Sequence, residues 1–120
     1  MASTILVVED SPTEMRLVSK ALAARGYTVI TATDGEEAIA KATAERPDLV
    51  VLDVVLPKKN GFQVCRALKT APATQGIKVV MLTSKGQDSD RFWGMKQGAD
   101  GYMTKPFAEA DLLATLGKLL

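Results

Sequence analysis

The chain has 120 residues, of which 47% are hydrophobic and 24% are charged, and its formal net charge is +1. These values are typical of a single soluble globular domain spanning residues 1–120, without room for a separate output domain. The near-neutral charge gives no electrostatic reason to expect nucleic-acid binding. No apolar run reaches the roughly 18 residues that a membrane span needs, and the N-terminus has no basic region or cleavage site of a signal peptide.

Two residue counts narrow the chemistry further. The chain contains no histidine, which excludes His-dependent catalytic triads, His-ligated zinc and histidine phosphocarriers. Its single cysteine, Cys65, cannot form an internal disulfide and suits a reducing cytoplasm. We interpret Cys65 as a small core residue of a helix.

Short apolar segments alternate with helical segments along the chain. Leu49–Leu52 and Val79–Leu82 are continuously apolar, as expected of strands in a parallel sheet that is covered by helices on both faces. The five predicted strands are Thr4–Val8, Thr28–Thr33, Leu49–Asp53, Lys78–Thr83 and Gly101–Thr104.

Capping signals mark the helices between these strands. Ser11 with Glu14, and Asp34 with Glu37, have the spacing of a capping box, in which two side chains bond the free backbone N–H groups of the first turn. Five helices are predicted: from Pro12 to shortly before Gly26, from Asp34 to about Glu45, after Asn60–Gly61 with Phe62, Cys65 and Leu68 on one face, from Asp88 or Ser89 to near Gly98, and from about Glu109 to the end.

Five strand–helix pairs in 120 residues predict an open, doubly wound α/β fold. Right-handed crossovers leave few strand orders, and we expect a five-stranded parallel sheet in the flavodoxin-like order 2-1-3-4-5 within three αβα layers. Functional sites in such sheets lie beyond the C-terminal strand ends, near the switch between strands one and three.

Chemically capable side chains follow four of these strands: Glu9 and Asp10, then Asp53, Thr83 and Lys105. Crowded carboxylates raise each other's pKa unless a cation intervenes. Oxygen ligands without histidine or thiolate favour Mg²⁺, which binds one or two carboxylates and keeps waters and phosphate oxygens. Two simpler interpretations stay open: Glu9 and Asp10 begin a loop in which Asp10 helps to cap the first helix, and Asp53 begins a turn.

The combination favours phosphoryl transfer over those simpler interpretations. A carboxylate such as Asp53 is a competent nucleophile toward phosphoryl groups. A nearby lysine and hydroxyl, here Lys105 and Thr83, would stabilise the charge on the transferring group.

The ordered set of these residues resembles the signature of response-regulator receiver domains, which have a CheY-like fold. The resemblance covers the whole chain, and its further landmarks are Leu56–Pro57, Asn60–Gly61, Gly98–Tyr102 and Lys105–Phe107. It implies a signalling phosphoacceptor that catalyses only its own phosphorylation and dephosphorylation, not an enzyme acting on other substrates. It also implies a sensor histidine kinase as phosphodonor, a monomeric state and a cytoplasmic location.

The resemblance also implies a role for each site residue. Asp53 would accept the phosphoryl group and bind Mg²⁺, together with Asp10, with Glu9 directly or through water, and with the backbone carbonyl of Val55. Lys105 would pair with the phosphoryl group, and its bond to the following proline is expected to be cis.

The expected switch couples Thr83 to Tyr102. In receivers a strand-five aromatic turns inward when the threonine moves toward the phosphoryl group, whereas an ordinary half-buried strand tyrosine is the alternative for Tyr102. The output surface would comprise the fourth helix, the fifth strand and the fifth helix. On the fourth helix Phe92, Trp93 and Met95 cannot all face the core, and Trp93 is expected to contribute to the output surface.

Two short stretches narrow the resemblance. The same stretches occur in similar form in receivers of the chemotaxis-like systems of type IV pilus twitching motility: Phe92–Gly94 with Gln97–Asp100, and Ser11–Glu14. This resemblance implies a CheA-like kinase. Lys85 is expected to lie near the phosphoryl group and to slow its hydrolysis.

Three rival functions remain. A degenerate, phosphate-independent receiver would lack part of the site, whereas all parts are present. A flavodoxin-like cofactor binder would need a phosphate-cradling first loop, where Glu9, Asp10 and Glu14 would repel phosphate. An aspartate-nucleophile phosphatase would usually carry a second acid at the position of Val55. No Gly-rich nucleotide-binding motif occurs.

Overall fold

The computed structural model describes residues 2–120 and contains one five-stranded parallel sheet in the order β2-β1-β3-β4-β5. The strands are β1 (Thr4–Val8), β2 (Thr28–Ala32), β3 (Leu49–Leu52), β4 (Lys78–Thr83) and β5 (Gly101–Thr104). The helices are α1 (Pro12–Ala24), α2 (Gly35–Glu45), α3 (Gly61–Thr70), α4 (Asp88–Lys96) and α5 (Glu109–Leu119). The predicted fold class and strand order are therefore confirmed.

The sheet divides the core into two layers because successive strand residues point to opposite faces. On one face Leu6 and Val8 pack with buried residues of α2 and α3. On the other, Ile5 and Val7 pack with residues of α1 and α5. Helices on both sides explain why β3 and β4 are apolar throughout and fully buried over most of their length.

The predicted capping boxes form only in part. The Ser11 and Asp34 side chains accept the N–H groups of Glu14 and Glu37, as predicted. Their acidic partners turn elsewhere: Glu37 accepts from the backbone N–H of Thr33, and Glu14 pairs with Lys105. A complete reciprocal box, which was not predicted from the sequence, occurs at α3 between Asn60 and Gln63.

The ends of several elements shift by one residue from the sequence prediction. β2 ends at Ala32, because the Thr33 N–H is taken by Glu37, and β3 ends at Leu52. α1 ends two residues before Gly26, whose φ is +95°. Within residues 2–120, no helix combines the length and apolar character needed to cross a membrane.

Candidate functional site

The parallel register brings the predicted site residues to one edge of the sheet. Val8 pairs with Leu52 across β1 and β3, so the residues that follow them, Glu9 and Asp53, emerge side by side. The Asp53 N–H donates to the Val8 carbonyl at 3.1 Å, which continues the ladder past the end of β3. On the far side, the Lys105 N–H donates to the Thr83 carbonyl at 2.8 Å.

The Lys105 ammonium lies at the centre of this site. Its Nζ is 3.0 Å from Asp53 Oδ2, 2.5 Å from Glu9 Oε1 and 3.0 Å from Glu14 Oε2. The side chains of Lys105, Glu9 and Asp53 are each at most a tenth exposed, whereas that of Glu14 is 43% exposed. Three carboxylates therefore share one buried cation.

Burial and hydrogen bonding shift the pKa values of the site's carboxyl groups in opposite directions. For Glu9, burial dominates over its bonds to Lys105 and to the Ser11 N–H, and it raises the pKa to about 7. For Asp53, burial alone would raise the pKa, but hydrogen bonds from Lys105 and Thr83 outweigh it. The Val55 N–H, 3.1 Å from Oδ1, adds to this effect, so the pKa of Asp53 lies below its usual range.

The same contacts keep Lys105 charged. Burial would lower its pKa, but hydrogen bonds to Glu9, Asp53 and Glu14 reverse that effect, and the pKa of Lys105 lies well above its usual value. The site thus combines an ionised Asp53 with a permanently cationic neighbour, which suits a nucleophile that must face a phosphoryl group.

The structure clusters three carboxylates that could hold a cation, and the set differs from the predicted one. Oxygen atoms of Glu9, Glu14 and Asp53 lie within 4.8 Å of one another. Asp10, predicted as a direct ligand, is exposed and does not belong to this cluster. Glu14 was not among the predicted site residues, because its spacing from Ser11 indicated a helix cap. Carboxylate oxygens at a partly open edge are chemically suited to Mg²⁺, which retains waters in its shell.

Thr83 and Tyr102 are linked through the backbone of Lys85. The buried Thr83 hydroxyl accepts the Lys85 N–H at 3.2 Å, and the Tyr102 hydroxyl donates to the Lys85 carbonyl at 2.5 Å. Tyr102 is only 7% exposed, so its ring occupies an inward position. The side chain of Lys85 is exposed, and its expected role at a phosphoryl group stays a prediction.

Tyr102 also supports α4. The Arg91 Nη1 group donates to the Tyr102 carbonyl at 2.8 Å, and the guanidinium carbon lies 5.3 Å from the centre of the Tyr102 ring. Gly94 faces the same ring, and a Cβ atom there would come within 2.7 Å of it. The position of α4 is therefore set largely by Tyr102.

Trp93 lies on the flank of α4 that faces α3. Together with Gln97 it lines a groove whose other wall is α3, formed by Phe62, Gln63 and Arg66. Arg91, two residues earlier and about 200° away around the helix, contacts β5 instead. The expectation that α4 leaves an aromatic exposed is confirmed, since Phe92 and Trp93 are both more than half exposed.

The backbone of Asp53 is held tightly by the start of α3. The Gly61 N–H donates to the Val54 carbonyl at 2.8 Å, and a Cβ atom at Gly61 would lie 2.2 Å from the Asp53 carbonyl oxygen. Only glycine allows this approach. On the opposite side of the site, the Lys105–Pro106 peptide bond is cis, as predicted.

The chain belongs to the response regulator receiver domain family, whose model matches residues 5–117. This match covers almost the whole fold and every residue of the site described above. The predicted family is therefore confirmed.

Similar proteins agree with this assignment. Protein PilH of Pseudomonas aeruginosa is 43% identical over 97% of this chain and 96% of its own length. The chemotaxis response regulator CheY4 of Vibrio cholerae has a similar structure, with a TM-score of 0.93, 35% identity and full coverage of both chains. The receiver domain of the sensor histidine kinase PA1611 from Pseudomonas aeruginosa, solved with a magnesium ion coordinated in its active-site cleft, has a TM-score of 0.92 at 28% identity, covering 99% of this chain and 98% of that one.

Other curated relatives are much longer. They are 41–44% identical to this chain, which spans only 26–49% of their length. The receiver domain is thus a unit that occurs both nearly alone and within larger proteins.

Proposed function

We propose that this protein is a single-domain phosphorylation switch in which Asp53 accepts a phosphoryl group from a sensor histidine kinase. One observation carries the proposal: the buried Lys105 ammonium lies 3.0 Å from the Asp53 carboxylate at the C-terminal edge of the sheet. In the transfer an Asp53 oxygen forms a bond to phosphorus while the donor's bond to that phosphorus breaks. Water later hydrolyses the acyl phosphate and regenerates the carboxylate, so the protein is a signalling phosphoacceptor and does not transform other substrates.

Mg²⁺ is proposed as the cofactor. Glu9 and Asp53 belong to the acidic cluster, and Asp10 with the carbonyl of Val55 would complete the ligand set after movement of the exposed Asp10 side chain. The magnesium ion in the PA1611 receiver supports this assignment by similarity. Bound Mg²⁺ would neutralise charge on the transferring group.

The proposed switch uses contacts that already join the site to α4. If Thr83 turns toward a phosphoryl group, its hydroxyl leaves the Lys85 N–H. The segment after β4, whose Lys85 carbonyl accepts the Tyr102 hydroxyl, is then free to shift. Tyr102 in turn supports Arg91 and Gly94 of α4. We therefore propose the α4-β5-α5 surface as the place where a downstream protein detects phosphorylation.

We place the signalling in a chemotaxis-like system that controls type IV pilus motility. The support is the 43% identity to PilH over nearly its whole length, together with the Phe92–Gly94 and Ser11–Glu14 stretches of this chain. A CheA-like kinase as donor, a monomeric state and a cytoplasmic location are part of the same proposal.

The direct test is phosphorylation by acetyl phosphate with Mg²⁺, measured by intact mass. We expect wild type to gain one phosphoryl group, and Asp53→Asn and a sample treated with EDTA to gain none. Asp111→Asn is the matched control, because Asp111 is an exposed aspartate in the first turn of α5 and does not belong to the acidic cluster. Equal labelling of Asp53→Asn and wild type would overturn the proposal.

The pH dependence of Mg²⁺ binding offers a second test. Glu9 must be ionised to bind the metal, and burial raises its pKa to about 7. Affinity measured by calorimetry should therefore rise as pH increases from 5 through about 7 and level off only above about pH 8, where Glu9 is almost fully ionised. Glu9→Gln should weaken binding and remove this rise, and a rise that persists in that variant would show that another group is responsible.

A further inference from the structure

Glu14 has a position that the helix-cap interpretation does not explain. Its backbone N–H donates to the Ser11 hydroxyl, as in a cap, but its carboxylate does not return to the Ser11 N–H. That N–H is taken by Glu9 Oε2 at 3.1 Å. The Glu14 carboxylate instead reaches across to the residue that follows β5, where Oε2 lies 3.0 Å from Lys105 Nζ.

This contact uses the last hydrogen-bond donor of Lys105. An ammonium group has three N–H donors, and here they point to three carboxylates: Glu9, Asp53 and Glu14. A phosphoryl oxygen can therefore gain a hydrogen bond from Lys105 only if one of these carboxylates gives up its place.

Of the three partners, Glu14 can leave at the lowest cost. Its side chain is 43% exposed, compared with 5% for Glu9 and 9% for Asp53. A released Glu14 carboxylate can be hydrated there, whereas the buried Glu9 and Asp53 carboxylates can leave Lys105 only if another cation, such as the proposed Mg²⁺, compensates their charge. Glu14 also borders a cavity of about 150 Å³ between α1 and the segment after β5, which leaves room for the side chain to move.

We infer that Glu14 is a positioning residue, which holds the Lys105 ammonium in the unphosphorylated state and is exchanged for the phosphoryl group when Asp53 is modified. The inference rests on the proposed function, because it concerns the same phosphoryl transfer. Glu14 takes no part in bond formation. It competes for the cation that the transferring group needs, so it slows phosphorylation and lowers the phosphorylated fraction at steady state.

The test compares Glu14→Gln with wild type at saturating Mg²⁺ and a fixed acetyl phosphate concentration. Because a partly exposed ion pair is worth up to about 1 kcal/mol, we expect phosphorylation of Glu14→Gln to be about fivefold faster. Glu36→Gln is the matched control, since Glu36 lies in the first turn of α2, is exposed and carries the same charge. It should react at the wild-type rate. A rate for Glu14→Gln equal to or below that of wild type would overturn the inference.

A double variant tests whether the effect passes through Lys105. In a Lys105→Ala background, followed by intact mass over long incubations, Glu14→Gln should change the rate by less than about twofold, because the contested ammonium is gone. If the fivefold gain persists there, Glu14 acts by direct repulsion of the donor and the inference is wrong. If the wild-type protein gains no phosphoryl group, the proposed function is wrong. If the wild-type protein is phosphorylated but Glu14→Gln reacts at the same rate, only the inference about Glu14 is wrong.

Discussion

The neighbouring helices α3 and α4 cover the same face of the sheet but are held there in different ways. α3 buries Val64, Cys65 and Leu68 on one apolar face. α4 buries only Gly94, and its large apolar side chains Phe92, Trp93 and Met95 are 47–63% exposed.

The difference shows which part of the molecule can move at low cost. Displacing α3 would expose a continuous apolar face, whereas displacing α4 would break mainly its contacts with Tyr102. Regions with little apolar burial are those that open most easily in native proteins. The structural change proposed to follow phosphorylation therefore reaches α4, the helix whose position depends on Tyr102. Four measurements can test this contrast between α3 and α4.

The largest effect is expected from shortening a core residue of α3. Leu68 is 1% exposed, and Leu68→Ala should lower the free energy of unfolding by about 3 kcal/mol through lost burial and a residual cavity. Phe92→Ala on α4 is the counterpart and should change it by less than about 0.5 kcal/mol. Urea denaturation measures both. Similar losses for the two variants would mean that α4 is held as firmly as α3.

Gly94→Ala should have the next largest effect. The added methyl group would lie 2.7 Å from the Tyr102 ring and 3.0 Å from the Met81 sulfur, so the helix or the ring must shift. We expect a loss of about 2 kcal/mol in the free energy of unfolding, even though alanine favours helices over glycine. Amide exchange should accelerate in α4 but not in α3. A stabilised protein would show that α4 does not rest on Tyr102.

Tyr102→Phe tests the link from β5 to the site edge. It removes the hydrogen bond to the Lys85 carbonyl while keeping the ring that supports Gly94. The expected loss is about 1 kcal/mol in the free energy of unfolding, with amide exchange in α4 nearly unchanged. If exchange in α4 rises as much as in Gly94→Ala, the hydroxyl and not the ring would be the main support of the helix.

The smallest effect is expected from Arg91→Gln. Arg91 is exposed, although its guanidinium bonds the Tyr102 carbonyl at 2.8 Å and lies over the ring. The loss should be about 0.5 kcal/mol, since neighbouring water can replace part of this contact. Thermal unfolding will measure this loss. Lys96→Gln is the control, because the Lys96 ammonium lies 5.9 Å from the centre of the Phe92 ring and does not contact Tyr102 through a cation–π interaction. Equal shifts in the two variants would show that Arg91 contributes nothing specific to α4.

The sequence predicted the features that depend on the backbone. Alternation of apolar strands and capped helices was sufficient for the strand order, and the strand ends placed Glu9, Asp53, Thr83 and Lys105 at one edge. These follow from topology and register, which leave little freedom once the elements are known.

The features that depend on side-chain direction were not predicted. Glu14 has the correct spacing for a cap, but its carboxylate goes to Lys105, because an unshared ammonium donor offers a stronger partner than a neutral N–H group. Trp93 faces α3 because the rotation of α4 is set by the close approach of Gly94 to Tyr102. Neither the rotation of a helix nor the choice between two partners can be read from spacing alone.

The contact between Gly61 and Asp53 limits the side on which the site can accommodate an added group. With the Asp53 carbonyl only 2.2 Å from where a Cβ at Gly61 would stand, the main chain of the acceptor has no space to retreat toward α3. Any group added to the carboxylate must therefore be accommodated on the opposite side, where Thr83 leads to β5 and to loosely held α4. Steric blockage on one side and compliance on the other would direct the structural response to phosphorylation toward α4, without a dedicated hinge.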